Sequence, residues 1–136
     1  MSDAKVIFRH GEEGYHTYRI PALLTVPGGR TLAFCEGRRD SWEDYGKIDL
    51  VLKISDDGCE TFSPLRAVAQ NGENTAGNPC PVYDRDTGRI WLFLDTNLAE
   101  GPESLINQNK APRGVGCMYS DDLGESWSPF WELTDE

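Results

Sequence analysis

Two stretches decide how this chain is read: LVLKISDDGCETFSPLRA at 50–67 and VGCMYSDDLGESWSPFWE at 115–132. They align at an offset of 65 residues. Ser55, Asp56, Asp57, Glu60, Ser63 and Pro64 recur as Ser120, Asp121, Asp122, Glu125, Ser128 and Pro129, and Phe62 recurs as Trp127. Agreement this dense marks an internal repeat. Before each segment the residues alternate with period two, as Ile48, Leu50, Leu52 and Ile54 do in the first and Val115, Cys117 and Tyr119 in the second. That period is the signature of a strand with one face buried. The Ser, Asp and Gly that follow are turn residues, because their side chains accept hydrogen bonds from nearby backbone N–H groups.

The flanks repeat more loosely. RIPALLTV (19–26) answers NPCPVYD (78–84), and the stretch from Thr31 to Glu36 answers RIWLFLD (89–95). Each unit therefore reads as four short strands. They are expected near 18–26, 31–36, 48–55 and 63–69 in a unit spanning about 15–70. In a second unit, about 76–135, they are expected near 79–84, 89–95, 114–120 and 128–133. A further strand is expected at Val6–Arg9. Pro21, Pro79 and Pro81 fall in the first strand of a unit, and proline is tolerated mainly on sheet edges. The expected class is all-β: two four-stranded antiparallel blades of a β-propeller.

Composition agrees. Gly and Pro number 14 and 8 of 136 residues, which favours turns over helix. With 13 basic and 23 acidic residues the net charge is −10, so no basic face is expected for nucleic acid or an anionic membrane. No apolar run approaches the ~20 residues of a membrane span. The opening MSDAKVIFRHGEEGYH does not resemble a signal peptide, which gives a cytoplasmic expectation. Cys35, Cys59, Cys80 and Cys117 form no C-x-x-C pair, so free thiols are expected and no structural zinc. Three of them (35, 80 and 117) sit in apolar runs and read as small buried hydrophobes. His10 and His16 read as ordinary residues, and no metal or cofactor is implied.

The motifs resemble those of the sialidases. Ser120 to Trp127 looks like the Asp box of that family (S-x-D-x-G-x-T-W), and Ser55 to Phe62 like a variant with Cys59 where Gly is usual; Gly58 is expected to take the positive-φ burden there. The box residues Ser55, Asp57, Phe62, Ser120, Asp122, Gly124 and Trp127 are read as structural. Tyr18-Arg-Ile-Pro21 is similar to the family's (F/Y)-R-I-P motif. Glu36-Gly-Arg-Arg39 with Asp44-Tyr-Gly-Lys-Ile-Asp49, and Asn78-Pro-Cys-Pro81, are similar to the pieces that follow it.

The resemblance implies a six-bladed propeller, of which this chain would be an incomplete N-terminal part, and an exo-α-sialidase that removes terminal sialic acid from oligosaccharides, glycoproteins and glycolipids such as gangliosides. Arg19 matches the first of three arginines that hold the sugar carboxylate, a task suited to bidentate guanidinium. Asp44 matches the general acid/base, with Asp40 and Glu43 as rivals on sequence alone. Arg38 resembles a second basic residue near the sugar ring. Glu103, in the long polar loop 96–113, is a further candidate for substrate contact. The family's retaining mechanism uses a Tyr nucleophile. None of Tyr15, Tyr18, Tyr45, Tyr83 and Tyr119 lies in a matching motif, so the nucleophile is expected beyond this chain, and the 136 residues alone are expected to be inactive. The competing reading is a non-catalytic Asp-box propeller that binds glycans or proteins.

Overall fold

The computed structural model describes residues 3–134. It contains eight strands and one short helix. In order these are β1 (Thr17–Thr25), β2 (Thr31–Arg38), β3 (Ile48–Ser55), β4 (Arg66–Ala69), β5 (Thr75–Tyr83), β6 (Ile90–Asn97), α1 (Glu103–Asn107), β7 (Arg113–Ser120) and β8 (Trp131–Glu132). Strands β1 to β4 pair antiparallel in sequence order, and β5 to β8 do the same. A single parallel bridge, Ile48 to Thr75, joins the two units edge to edge. The sheet does not close on itself, and β1 and β8 end the path.

The repeat is visible in the register. Thr31 and Ser55 are partners across β2 and β3, as Ile90 and Ser120 are across β6 and β7. The offset between units is thus 59 residues at β2 and 65 at β3, because the loop before β7 is six residues longer than the loop before β3. Both first strands carry a bulge at the same place, between Arg19 and Ala22 and between Gly77 and Cys80. Ile20 and Asn78, each directly before a proline, take positive φ there (56° and 53°). A bulge omits ladder hydrogen bonds, so it accommodates the proline that cannot donate one.

The Asp boxes close β3 to β4 and β7 to β8 with one hydrogen-bond scheme. Ser55 Oγ accepts from the Cys59 N–H (3.0 Å) and donates to Asp57 Oδ1 (2.8 Å), and Asp57 Oδ1 accepts from the Thr61 N–H (2.9 Å). Ser120 accepts from Gly124 (2.8 Å) and donates to Asp122 (2.7 Å), which accepts from the Ser126 N–H (2.8 Å). Hydrogen bonds from Thr61 and from Ser126 hold both aspartates down, to a pKa of about 2 each. Gly58 does not take the positive φ alone. Gly58 and Cys59 lie at 72° and 68°, Leu123 and Gly124 at 57° and 92°, so each turn places two consecutive residues in the left-handed region.

One apolar cluster is shared by both units: Leu32, Phe34, Leu50, Leu52 and Ile54 of the first meet Ile90, Leu92, Leu94 and Met118 of the second. The second box packs into it. Trp127 meets Phe34 edge-on at 5.9 Å between centroids, and a Cβ on Gly124 would come within 2.5 Å of Leu32. Phe62, by contrast, is half-buried and belongs to neither apolar cluster.

Several expectations change. Residues 6–9 form no strand. They lie across the outer face of unit one, where Phe8 packs beside Tyr15, Tyr18, Cys35 and Val51, and the Ile7 carbonyl accepts from Lys53 Nζ (2.9 Å). That covering segment also removes the expected alternation in β3, since Asp49 and Val51 are as buried as Leu50 and Leu52. Cys80 is exposed although its neighbours are apolar, because its face of unit two carries no cover; Cys35 and Cys117 are buried as expected. The first strands begin earlier than expected, at Thr17 and Thr75, and the fourth are shorter. The expected end of unit two at 135 lies outside the described residues. No helix among the described residues is long and apolar enough to cross a membrane.

Candidate active site

An open pocket of about 440 Å³ lies where the two units meet at the β1, β2, β5 and β6 ends. The four residues singled out from the sequence, Arg19, Arg38, Asp44 and Glu103, all line it. Their positions follow from the fold. Arg19 precedes the β1 bulge, Arg38 ends β2, Asp44 sits in the loop to β3, and Glu103 opens α1 in the long loop to β7.

The four are held differently. Arg19 is exposed, and its guanidinium has no hydrogen-bond or ion-pair partner among the described residues. Arg38 is buried. Its Nε and Nη2 donate to Glu36 Oε2 (3.0 and 2.8 Å), and its Nη1 donates to the Trp42 carbonyl (2.6 Å). Three of five N–H donors are thus committed, and two remain for the pocket. The Trp42 contact also ties down the loop that carries Asp44. Asp44 itself is exposed and accepts no hydrogen bond among the described residues. Of its rivals, Glu43 lines the same pocket, whereas Asp40 lines a smaller neighbouring hollow with Arg39 and Tyr45.

Glu103 is bound to a residue the sequence reading missed. Arg113, at the start of β7, pairs with Glu103 Oε2 (2.5 Å) and reaches Asp95 Oδ2 (3.5 Å) and Asn97 Oδ1 (3.4 Å). The Glu103 hydrogen bond chiefly, then the charges of Asp95, Glu103 and Asp44, push the Arg113 pKa up.

Glu36, Asn78 and Asp95 were also missed. Glu36 and Asp95 occupy equivalent register positions in the two units. Glu36 Oε1 accepts from the Asn78 N–H (3.1 Å), and Asp95 Oδ2 from Asn78 Nδ2 (2.7 Å). Gly77 allows this approach, since a Cβ there would stand 2.6 Å from Glu36 Oε1 and 3.2 Å from Asp95 Oδ1. Asp95 Oδ1 is buried without a hydrogen-bond partner. The 59-residue offset could have located this pair of acids.

None of the five tyrosines lines the pocket. Tyr15 donates to Asp49 Oδ2 (2.7 Å), and burial with that carboxylate raises its pKa. Tyr18 donates to the Glu12 carbonyl (2.7 Å) and is pushed up to about 12, chiefly by burial. Asp49, the last residue of the motif that begins at Asp44, is fully buried beside Lys47 (3.2 Å) and Arg39 (3.4 Å). It is a structural anchor away from the pocket. The pocket thus offers one free guanidinium, two carboxylates with no hydrogen-bond or ion-pair partner among the described residues (Glu43 and Asp44), and a braced acid–arginine frame.

No family model matches the chain. Curated relatives do. It is 36% identical over 142 residues to the exo-alpha-sialidase of Aspergillus fumigatus, covering 90% of this chain and 35% of that protein. It is 35% identical over 136 residues to human sialidase-4, covering 96% of this chain and 28% of that one. The chain spans about a third of the length of the curated relatives it matches. Among solved structures, Hadza microbial sialidase Hz136 superposes with a TM-score of 0.78 at 25% identity, over 91% of this chain and 27% of that chain. A leech intramolecular trans-sialidase shares the fold with a TM-score of 0.80 at 15% identity, over 98% of this chain and 37% of that chain.

Proposed function

We propose, on the premise that this chain is sialidase-related over nine-tenths of its length, that it forms the acid-bearing part of an exo-α-sialidase active site. The observation that carries the reading is that Arg19 and Asp44, neither with a hydrogen-bond or ion-pair partner among the described residues, line one pocket. Arg19 takes the carboxylate on the anomeric carbon of sialic acid, by charge-assisted hydrogen bonds. Arg38 turns its two remaining donors to the sugar ring. Glu103, held by Arg113, flanks the bound sugar from α1.

Asp44 donates a proton to the glycosidic oxygen as the bond to the anomeric carbon breaks. A Tyr, activated by a Glu and supplied from outside these 136 residues, attacks that carbon. A neutral phenol approaches the anionic sugar without the repulsion a carboxylate would meet, and water then releases the sugar with retention, Asp44 acting as base. The two units serve as blades of a six-bladed propeller. The 136-residue chain alone does not turn over a sialoside.

The test is a chimera in which the chain replaces the matched 142 residues of the Aspergillus exo-alpha-sialidase. It hydrolyses a fluorogenic sialoside, and Asp44→Asn and Arg19→Ala each lower the rate at least ~100-fold. Full activity in the Arg19→Ala chimera refutes the reading. A second reading, a non-catalytic glycan- or protein-binding propeller, is favoured by the absence of tyrosine from the pocket; a folded but inactive chimera supports it.

A further inference from the structure

The loop between β2 and β3, residues 39–47, borders the pocket on the side of unit one. It is closed at its base, where the Arg39 N–H donates to the Lys47 carbonyl (3.0 Å). Within it the Trp42 carbonyl accepts from Arg38 Nη1 (2.6 Å), and Ser41 Oγ accepts from the Glu43 N–H (3.2 Å). The backbone of Trp42 and Glu43 is therefore fixed, but their side chains are not spent on packing. Trp42 is 62% exposed, belongs to neither apolar cluster, and stacks on no other ring among the described residues. Glu43 is half-buried, and its carboxylate has no partner among the described residues. Both side chains line the pocket. Singly exposed apolar residues are common on protein surfaces. This indole differs from them, because a buried arginine anchors its backbone at the wall of a cavity.

The walls of the pocket differ in what they leave available. On the side of unit two the polar groups are largely spent on one another: Asn78 donates to Asp95 (2.7 Å), and Arg113 pairs with Asp95 and Glu103. On the side of the loop, Trp42 and Glu43 are unspent. The space also continues past the loop. Arg38 and Glu43 border both the pocket and the neighbouring hollow of about 160 Å³, which Arg39, Asp40 and Tyr45 help to line. A glycoside protonated by Asp44 has its leaving group beside that carboxyl, and so beside the two residues that precede Asp44 in the chain. A pyranose offers two kinds of surface, an apolar C–H face and a rim of hydroxyl donors. An indole face suits the first, and a carboxylate without a partner accepts from the second.

We propose that Trp42 and Glu43 form the seat of the leaving sugar. Trp42 stacks on the C–H face of the pyranose next to the scissile bond, and Glu43 accepts from one of its hydroxyls. The substrates this selects are sialosides whose leaving group is itself a sugar, over those that leave as a small alcohol. The inference rests on the enzymatic reading for the position of the scissile bond.

The test uses the Aspergillus chimera and two substrates that differ only in the leaving group: sialyllactose, which releases a sugar, and methyl sialoside, which releases a one-carbon alcohol. Trp42→Ala raises KM for sialyllactose about tenfold, the scale of one lost aromatic anchor. It leaves kcat for sialyllactose and KM for methyl sialoside within about twofold, because stacking that is equal in ground and transition states acts on binding alone. Trp42→Phe recovers most of the loss, and Glu43→Gln shifts KM in the same direction by about threefold, on sialyllactose only. A fall in kcat on both substrates makes Trp42 a prop for the Asp44 loop and overturns the proposal, as do equal changes in KM on the two substrates or no change on either. A chimera that binds without turnover sinks the enzymatic reading alone, and affinities then decide the seat. Tighter binding of sialyllactose than of methyl sialoside, lost in Trp42→Ala, upholds it; equal affinities, or no binding of either, overturn it.

Discussion

Unit one and unit two share a register, a bulge and an Asp-box scheme, yet their faces differ. In unit one both faces are covered, by unit two on one side and by residues 3–16 on the other. In unit two the outer face is largely bare. The hydrogen-bond motifs are therefore local properties of each unit, while burial is a property of its neighbours. At the functional end the difference runs the other way. Unit one contributes the free groups, Arg19, Glu43 and Asp44, and unit two contributes mainly a frame of Asn78, Asp95 and Arg113.

The comparison breaks most visibly at the paired acids. Glu36 and Arg38 are each 5% exposed, so Glu36→Ala strands a buried guanidinium and is expected to cost about 3–5 kcal/mol. Asp95→Ala, at the equivalent position, is expected to cost less than half as much, because Arg113 is 31% exposed and keeps Glu103. Chemical denaturation of the two variants checks the order. Next are the box aromatics. Trp127→Ala removes a ring wedged between the units and is expected to cost about 3 kcal/mol. Phe62→Ala, with no such partner, is expected to stay within about 1 kcal/mol by the same measurement.

The boxes themselves should respond alike. Both aspartates titrate near 2 in the folded chain, below the ordinary value of about 3.9. Their contribution is therefore present above pH 4 and lost as the pH falls toward 2. Thermal melts between pH 5 and 2 should show this decline, and the Asp57→Asn, Asp122→Asn double variant should flatten it, each single change by a similar share. The smallest effect separates the turns. Cys59 holds a left-handed φ of 68° where unit two has glycine. Cys59→Gly is expected to stabilise by up to about 1 kcal/mol, whereas Gly124→Cys destabilises, through both its φ and Leu32.

The features legible in the sequence were those with local causes. The Asp boxes could be read because Ser55, Asp57, Ser120 and Asp122 act within one turn. Arg19, Arg38 and Asp44 could be listed from their resemblance to family motifs and Glu103 from its long polar loop, and the fold brings all four to one pocket. Asp95 and Arg113 were hidden because their importance comes from contacts across strands and loops, to Asn78 and Glu103. Helix α1 is five residues long, too short to show a period. Val6–Arg9 looked like a strand by composition, but Val6 is exposed and Phe8 packs on a core instead of pairing. Cys80 looked buried because apolar neighbours on an open sheet face read the same as those in a core.

The central claim is that Asp44 delivers the proton to the departing oxygen in the pocket headed by Arg19. The measurement that addresses it most directly is the leaving-group dependence of Asp44→Asn in the Aspergillus chimera. With a sialylated sugar, whose leaving oxygen is a poor one, the variant should lose at least ~100-fold in rate; with an aryl sialoside bearing a much better leaving group, the loss should be several-fold smaller. Equal losses on both substrates, or no loss on either, would contradict the assignment.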